Sequence, residues 1–289
     1  MSSSNSNVQP VKVLVTGSVN GSLADFFGKI KKLDAKYGPF AVLLVTGNLL
    51  DSDPSEDEVN ALLSNEIHVP LMTYAIIGDH RLPERVMSRI EARSGEVCQN
   101  LVLLKNHGIL QTSEGMKVAY ISGQHQPEIP DPEQEEDMES GHTGDSNTSE
   151  GAEGSEKEET KEAAVPESNE CTYTNRDMSD LLKQVVAENN KTADMTGPRP
   201  SVDILLTFDW PYGIGPDNSE PEHASNKISF ISAVTQPRYH FAASEGTFFE
   251  RQPYKYGSSV RVGSGSNVAG HFTRFIGLGS VRGGKDKQR

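Results

Sequence analysis

The sequence predicts an α/β sandwich of two mixed sheets flanked by helices. Three observations carry that expectation. Strand-like and helix-like segments alternate three times from residue 11 onward, the second of those strands is continuously apolar, and the last third of the chain consists of short β-rich runs.

Each element follows from its own pattern. Val11 to Val15 is a short β-branched run that leads into a Gly/Ser/Asn turn, after which Leu23, Phe26, Phe27, Ile30 and Leu33 recur at helical spacing. Ala41 to Val45 is apolar throughout, as a strand covered on both faces is, and Pro54 to Ser64 begins with proline in a helical first turn. Leu71 to Ile77 and Pro83 to Ala92 repeat the plan. Three such units imply a parallel sheet with helices on both faces. Leu101 to Leu104, Gly108 to Thr112 and Met116 to Ser122 read as antiparallel strands, the last two joined across Ser113-Glu114-Gly115. Met178 to Val186 is expected to be helical, and Val202 to Leu206 to be another buried strand. Tyr239 to Ala243, Thr247 to Glu250, Ser258 to Val262 and Phe272 to Leu278 would complete a second sheet.

Composition divides the chain unevenly. Of 289 residues, 35% are apolar, enough for a substantial core, yet the mean hydropathy of -0.52 says that part of the chain is not core. Sixteen of the 41 acidic residues and only two of the 27 basic ones fall between Glu128 and Glu170, so 25 of each sign remain elsewhere. An acidic disordered insert at about 127–172 therefore accounts for the net charge of -14, and the rest is near neutral. Such a segment serves as a solvated linker or as an acidic docking or phosphorylation platform, with Ser140, Ser146, Ser149 and Ser155 beside acidic neighbours. Residues 1–10 and the basic stretch 282–289 are expected to be disordered tails around a domain at 11–281. Cys98 and Cys171 have no zinc or redox spacing and read as reduced thiols. With neither a signal peptide nor an apolar run of about 18 residues, the expectation is a soluble intracellular protein with no membrane contact.

Chemistry in open α/β sheets gathers just beyond the carboxyl ends of the strands. Those positions read Thr16-Gly17-Ser18-Val19-Asn20-Gly21, Thr46-Gly47-Asn48, Ile77-Gly78-Asp79-His80 and Leu205-Leu206-Thr207-Phe208-Asp209-Trp210-Pro211. Their spacing resembles the calcineurin-like metallophosphoesterases, which implies a metallophosphoesterase-like sandwich. In that resemblance Ser18 and Asn20 stand where the first aspartate and histidine would be, and Asn48 replaces the bridging carboxylate. Asp79 replaces an asparagine ligand, His80 alone matches the general-acid histidine, Phe208 replaces a histidine, and Ser244 and Gly246 align with a final histidine pair. Two metals need a bridging carboxylate and several imidazoles, so Asn20, Asn48, Asp79 and His80 are expected to be relic positions with no catalysis, no metal and no cofactor.

The second half carries a narrower likeness. Asp203-Ile204-Leu205-Leu206-Thr207, Pro237-Arg238-Tyr239-His240-Phe241-Ala242-Ala243, Phe248-Phe249-Glu250-Arg251-Gln252-Pro253-Tyr254 and Thr273-Arg274-Phe275-Ile276 resemble the N-terminal domain of CwfJ-type splicing-associated proteins, related to the lariat debranching enzyme. The resemblance runs from about Val11 to Val281. In that family a histidine-triad-like C-terminal domain usually follows, which would lie beyond Arg289.

What the resemblance implies is a noncatalytic scaffold in pre-mRNA splicing and intron-lariat turnover, nuclear with the cytoplasm as a second compartment. Its partners would be spliceosomal proteins and the debranching enzyme, with weak RNA contact. Arg238, Tyr239, His240, Arg251, Tyr254 and Arg274 are the binding candidates, since arginine and tyrosine favour protein interfaces and also stack on single-stranded RNA. His240, in a strand of aromatic and small residues, reads equally as a core histidine. Two alternatives stay open: a residual single-metal phosphodiesterase on Asp79 and His80, and a phosphate- or RNA-binding module without cleavage.

Overall fold

The computed structural model describes residues 11–126, 170–192, 202–216, 221–256 and 272–281. The first sheet is formed by β1 (Val13–Thr16), β2 (Val42–Val45), β3 (Thr73–Ile76), β4 (Glu96–Cys98) and β5 (Leu101–Leu104), in the order β1-β2-β3-β5-β4. All neighbours are parallel except β4, which runs against β5. The crossovers are α1 (Leu23–Tyr37), α2 (Glu56–Leu63) and α3 (Glu84–Ala92). Ser55 caps α2 by accepting from the Glu58 N–H, and Glu56, Asp57 and Glu58 place negative charge in its first turn, both favourable at a helix start.

Burial explains why β2 is apolar at every position. Leu43 and Val45 face the cluster that α1 to α3 bury, whereas Val42 and Leu44 face a second apolar cluster on the other side. That second layer is a sheet, so helices cover only one face of the first sheet. The expectation of helices on both faces is corrected here: Val118, Ile204, Leu206 and Phe241 take the place of a helix layer.

The second sheet contains β6 (His107–Gln111), β7 (Lys117–Ile121), β10 (Ile204–Thr207), β13 (Tyr239–Ala242), β14 (Phe249–Glu250) and β16 (Phe272–Gly277), ordered β14-β16-β13-β10-β7-β6, and β15 (Tyr254–Lys255) also pairs with β16. Its centre is parallel, with β6, β14 and β15 antiparallel to their neighbours. Its outer face is covered by α4 (Asn175–Thr192) and α5 (Asn226–Thr235) around Leu181, Val185, Ile228 and Ile231. The mixed two-sheet sandwich flanked by helices is therefore the observed architecture.

Four details depart from the sequence reading. Leu101 to Leu104 joins the first sheet in parallel with β3, not an antiparallel set with the hairpin. The helix α5 carries too many β-branched residues to be recognised by pattern; Ser225 caps it by accepting from the Lys227 N–H, and burial of Ile228 and Ile231 holds it. The insert boundary at 172 is too late. Thr172–Tyr173 form β9, parallel to β8 (Gln124–His125), and Cys171 is buried beside them. The remainder of the expected insert, both tails and the strand expected at Ser258 to Val262 lie outside the described residues. Burial pushes the Cys98 thiol up to about 11 and that of Cys171 up to about 12, which keeps both protonated and unreactive at neutral pH. Among the described residues, no helix is long and apolar enough to cross a membrane.

One glycine is dictated by close approach. On Gly277 a β-carbon would meet the Trp210 indole, with Cη2 at 2.6 Å and Cε2 at 2.8 Å, and Trp210 is itself packed between Phe249 and Phe275. Gly277→Ala should cost about 2 kcal/mol, the usual range for overpacking a filled core. Urea denaturation with unchanged m-value would show it as a lower midpoint.

Candidate functional site

The strand ends converge. The Val19 and Asn20 amides donate to the Asn48 carbonyl at 2.7 and 3.2 Å, and the Asn48 amide donates to Ser18 Oγ at 3.2 Å. Ser18 in turn accepts through its carbonyl from the Val281 N–H at 2.8 Å, and the Ser244 N–H donates to the Phe208 carbonyl at 2.9 Å. Gly47, at φ 122°, lies in a region that favours glycine, and a β-carbon there would crowd Ser18 Oγ and the Phe208 ring. Gly78 leaves the same kind of room for the Asn48 side chain.

Asn48 is the centre of this end of the molecule. Its Nδ2 donates to Asp79 Oδ1 at 2.6 Å, and its Oδ1 accepts from the His80 backbone N–H at 3.0 Å. A carboxylate could not make both contacts, because it has no proton to give to Asp79. His80 Nδ1 lies 3.4 Å from the Leu50 carbonyl and its Nε2 lies 3.9 Å from Asp79 Oδ1. The polar groups present are thus turned upon one another, and the Phe208 ring lies against Gly47 on the inter-sheet side. Among the described residues, no three His, Cys, Asp or Glu side chains are grouped so as to hold a metal ion. The donor set does not fit a two-metal centre.

This arrangement predicts the outcome of restoring the carboxylate. Asn48→Asp replaces a donated hydrogen bond with two carboxylates at contact distance, so one must stay protonated or the pair must separate. A loss of about 1–2 kcal/mol at neutral pH is expected, shrinking in mild acid. Equal losses at pH 7 and pH 5 in urea titrations would contradict this account.

A second polar cluster adjoins the strand ends, and its members carry no role in the sequence reading. Asp209 is 5% exposed; its Oδ2 accepts from the His125 N–H at 3.0 Å and from the Tyr173 hydroxyl at 3.1 Å. Burial pushes its carboxyl up to about 6, the two donors pull it back down, and the negative charge of Asp79 adds a smaller upward push. Asp209 is visible in sequence as part of a strand-end string, but its partners come from β8 and β9, across the acidic stretch. No local spacing links them.

The six binding candidates lie elsewhere. Tyr239 opens β13 and pairs in register with Arg274, at the opposite end of the second sheet from Ser244 and Phe208. Arg238 Nε is 3.8 Å from Asp203 Oδ1 on the same side. Arg251 stands over the Tyr254 ring at 5.0 Å and donates to the Gly213 carbonyl at 3.2 Å, while the Tyr254 hydroxyl meets that of Tyr256 at 2.9 Å. His240 is corrected: it is 0% exposed and offers no surface to a partner. Its Nε2–H donates to Thr207 Oγ1 at 2.9 Å, since that hydroxyl gives its own proton to the Asp209 carbonyl at 2.8 Å. The other ring nitrogen is buried without a hydrogen bond, and the ring stands edge-on to Phe275.

No protein-family model matches the chain. A CWF19-like protein 1 homolog of Drosophila melanogaster is 30% identical over 244 residues, covering 84% of this chain and 37% of that protein. CWF19-like protein 1 of Homo sapiens is 27% identical over 289 residues, covering 97% of this chain and 43% of that one. The chain spans about two fifths of the length of the curated relatives it matches. Among solved structures, TT1561 of Thermus thermophilus superposes with a TM-score of 0.53 at 14% identity, over 94% of this chain and 90% of that one. That likeness is one of fold.

Proposed function

Because the chain is homologous over most of its length to CWF19-like protein 1, we propose that it is a noncatalytic phosphoesterase-like scaffold in pre-mRNA splicing and intron-lariat turnover, working in the nucleus. It acts by protein contact with spliceosomal factors or with the lariat debranching enzyme. The observation that carries the noncatalytic part is Asn48. The residue at the bridging position commits its amide to Asp79 and its carbonyl oxygen to the His80 backbone, so the strand ends are tied together by hydrogen bonds that a metal-bridging carboxylate could not make.

Co-purification from nuclear extract at modest salt, followed by identification of the recovered proteins, tests the role. Recovery of splicing factors or of the debranching enzyme is expected. Recovery of neither sinks the proposal, and turnover of a branched RNA or a generic phosphodiester by the purified chain with millimolar divalent metal would overturn its noncatalytic part.

A further inference from the structure

Exposed aromatic rings are unevenly placed on this surface. Tyr212, Phe230, Tyr239, Phe248 and Phe272 all belong to the later part of the fold, and only Tyr37 among the described exposed rings does not. Scattered rings need no explanation, but two of these share one face of a sheet with cations between them.

The register defines that face. Side chains two apart on a strand point the same way, so Phe272 and Arg274 of β16 share a face, while Thr273 and Phe275 are buried on the other. Lys255 lies opposite Phe272 and Tyr239 lies opposite Arg274. Further along, the same face carries Phe241 and Ile276, which pack into the layer between the sheets. Where that layer ends, the face is open: Phe272 is 58% exposed and Tyr239 37%. The Lys255 ammonium stands 4.5 Å from the Phe272 centroid, and the Arg274 guanidinium 5.6 Å from that of Tyr239. Arg238, one residue before Tyr239, falls by the same alternation on the other face, with its Nε 3.8 Å from Asp203 Oδ1, and is not part of this surface.

We propose that this open face of β13, β16 and β15 is a stacking platform for single-stranded RNA. Phe272 and Tyr239 are diagonal neighbours on the adjacent parallel strands β16 and β13, roughly 8 Å apart from the strand spacing and the rise of two residues, a step that an extended strand spans between adjacent bases. Each ring takes one base, and Arg274 and Lys255 take the phosphates between. Alternating rings and cations match the alternation of base and phosphate, which an acidic peptide lacks. A duplex hides its base faces and is excluded from stacking. The platform stands whether or not the scaffold reading does, since the purified chain and an RNA oligomer are all that its test needs.

Fluorescence anisotropy of a labelled oligoadenylate of about ten nucleotides, within the usual span of such sites, is the experiment. Binding is expected at low salt, falling log-linearly as salt rises, and weaker for a duplex of the same length. Phe272→Ala and Tyr239→Ala should each weaken binding roughly tenfold, Phe272→Trp should preserve it, and Arg274→Ala should also flatten the salt dependence. All three positions are exposed, so circular dichroism should be unchanged. Absence of binding at low salt, or variants that bind as the parent does, would overturn the platform. So would polyglutamate binding as tightly as the RNA with the same sensitivity to these substitutions, which would assign the face to an acidic protein segment.

Discussion

Replacing His240 with phenylalanine should protect the fold against acid by about 3 kcal/mol at about pH 4, measured relative to neutral pH. Burial holds the His240 ring neutral down to about 3, against an ordinary value of 6.5. The geometry agrees, since Nε2–H already donates to Thr207 and the other nitrogen has no acceptor within reach to share a second proton. Between those two values the unfolded chain binds a proton that the folded chain refuses. Stability from this group is therefore fully present above 6.5 and is lost as the pH falls. At about pH 4 some 2.5 units of the window have been crossed, worth about 3 kcal/mol. Phenylalanine keeps the edge contact with Phe275 and removes the titration. Urea midpoints across pH 4 to 7 for the parent and the variant give the result directly, and parallel profiles would refute the role assigned to the buried ring.

Asp209→Asn should act in the opposite sense, by about 2 kcal/mol over the same range. Its carboxyl titrates at about 6 when folded and near 3.8 when unfolded, so the folded state holds the extra proton between these values. The stability this contributes is complete below 3.8 and lost as the pH rises through 6. Asparagine can keep both hydrogen bonds, because the His125 N–H and the Tyr173 hydroxyl both point at Oδ2 and an amide oxygen can accept from each. The variant should match or exceed the parent near neutrality and fall behind it in acid. The two groups largely offset one another in the parent, whose stability changes little between about pH 4 and pH 6 on their account. Each single substitution unmasks the other group. If Asp209→Asn has the same pH profile as the parent, the carboxyl is not held at its raised value.

The strands that can be read from sequence are those whose pattern is forced by burial. β2 is apolar at every position because both faces are covered, and the apolar run of β5 marks its bounds to the residue. What sequence does not supply is the destination of β5, because a short apolar run fits either sheet equally well. The two-residue pairs β8 with β9 and β11 (Trp210–Pro211) with β12 (Ala224–Ser225) are too short to have a period at all. At the strand ends, the replacements at Asn48 and Phe208 are legible as residue types, but the exchange of hydrogen bonds between Asn48, Asp79 and His80 is not. The arginine and tyrosine candidates stand out by residue type alone. Their division into an open face at Tyr239 and Arg274 and a partly buried group at Tyr254 depends on strand pairing, and so does the removal of His240 from the set.

The pairing of β8 with β9 has a consequence for how the gene can be edited. The chain leaves this small ribbon at Gln126, whose N–H donates to the Tyr173 carbonyl at 2.9 Å, and the Gln124 N–H donates to the Cys171 carbonyl at 2.8 Å on the return. The points of departure and return are thus fixed beside each other by the folded body, whatever runs between them. For loops in general the entropic cost of closure grows so slowly with length that a doubling adds only about 0.6 kcal/mol. The position is a natural port for splicing in a reporter or an affinity handle, and a graft there would leave the open face of β13 and β16 free to be assayed.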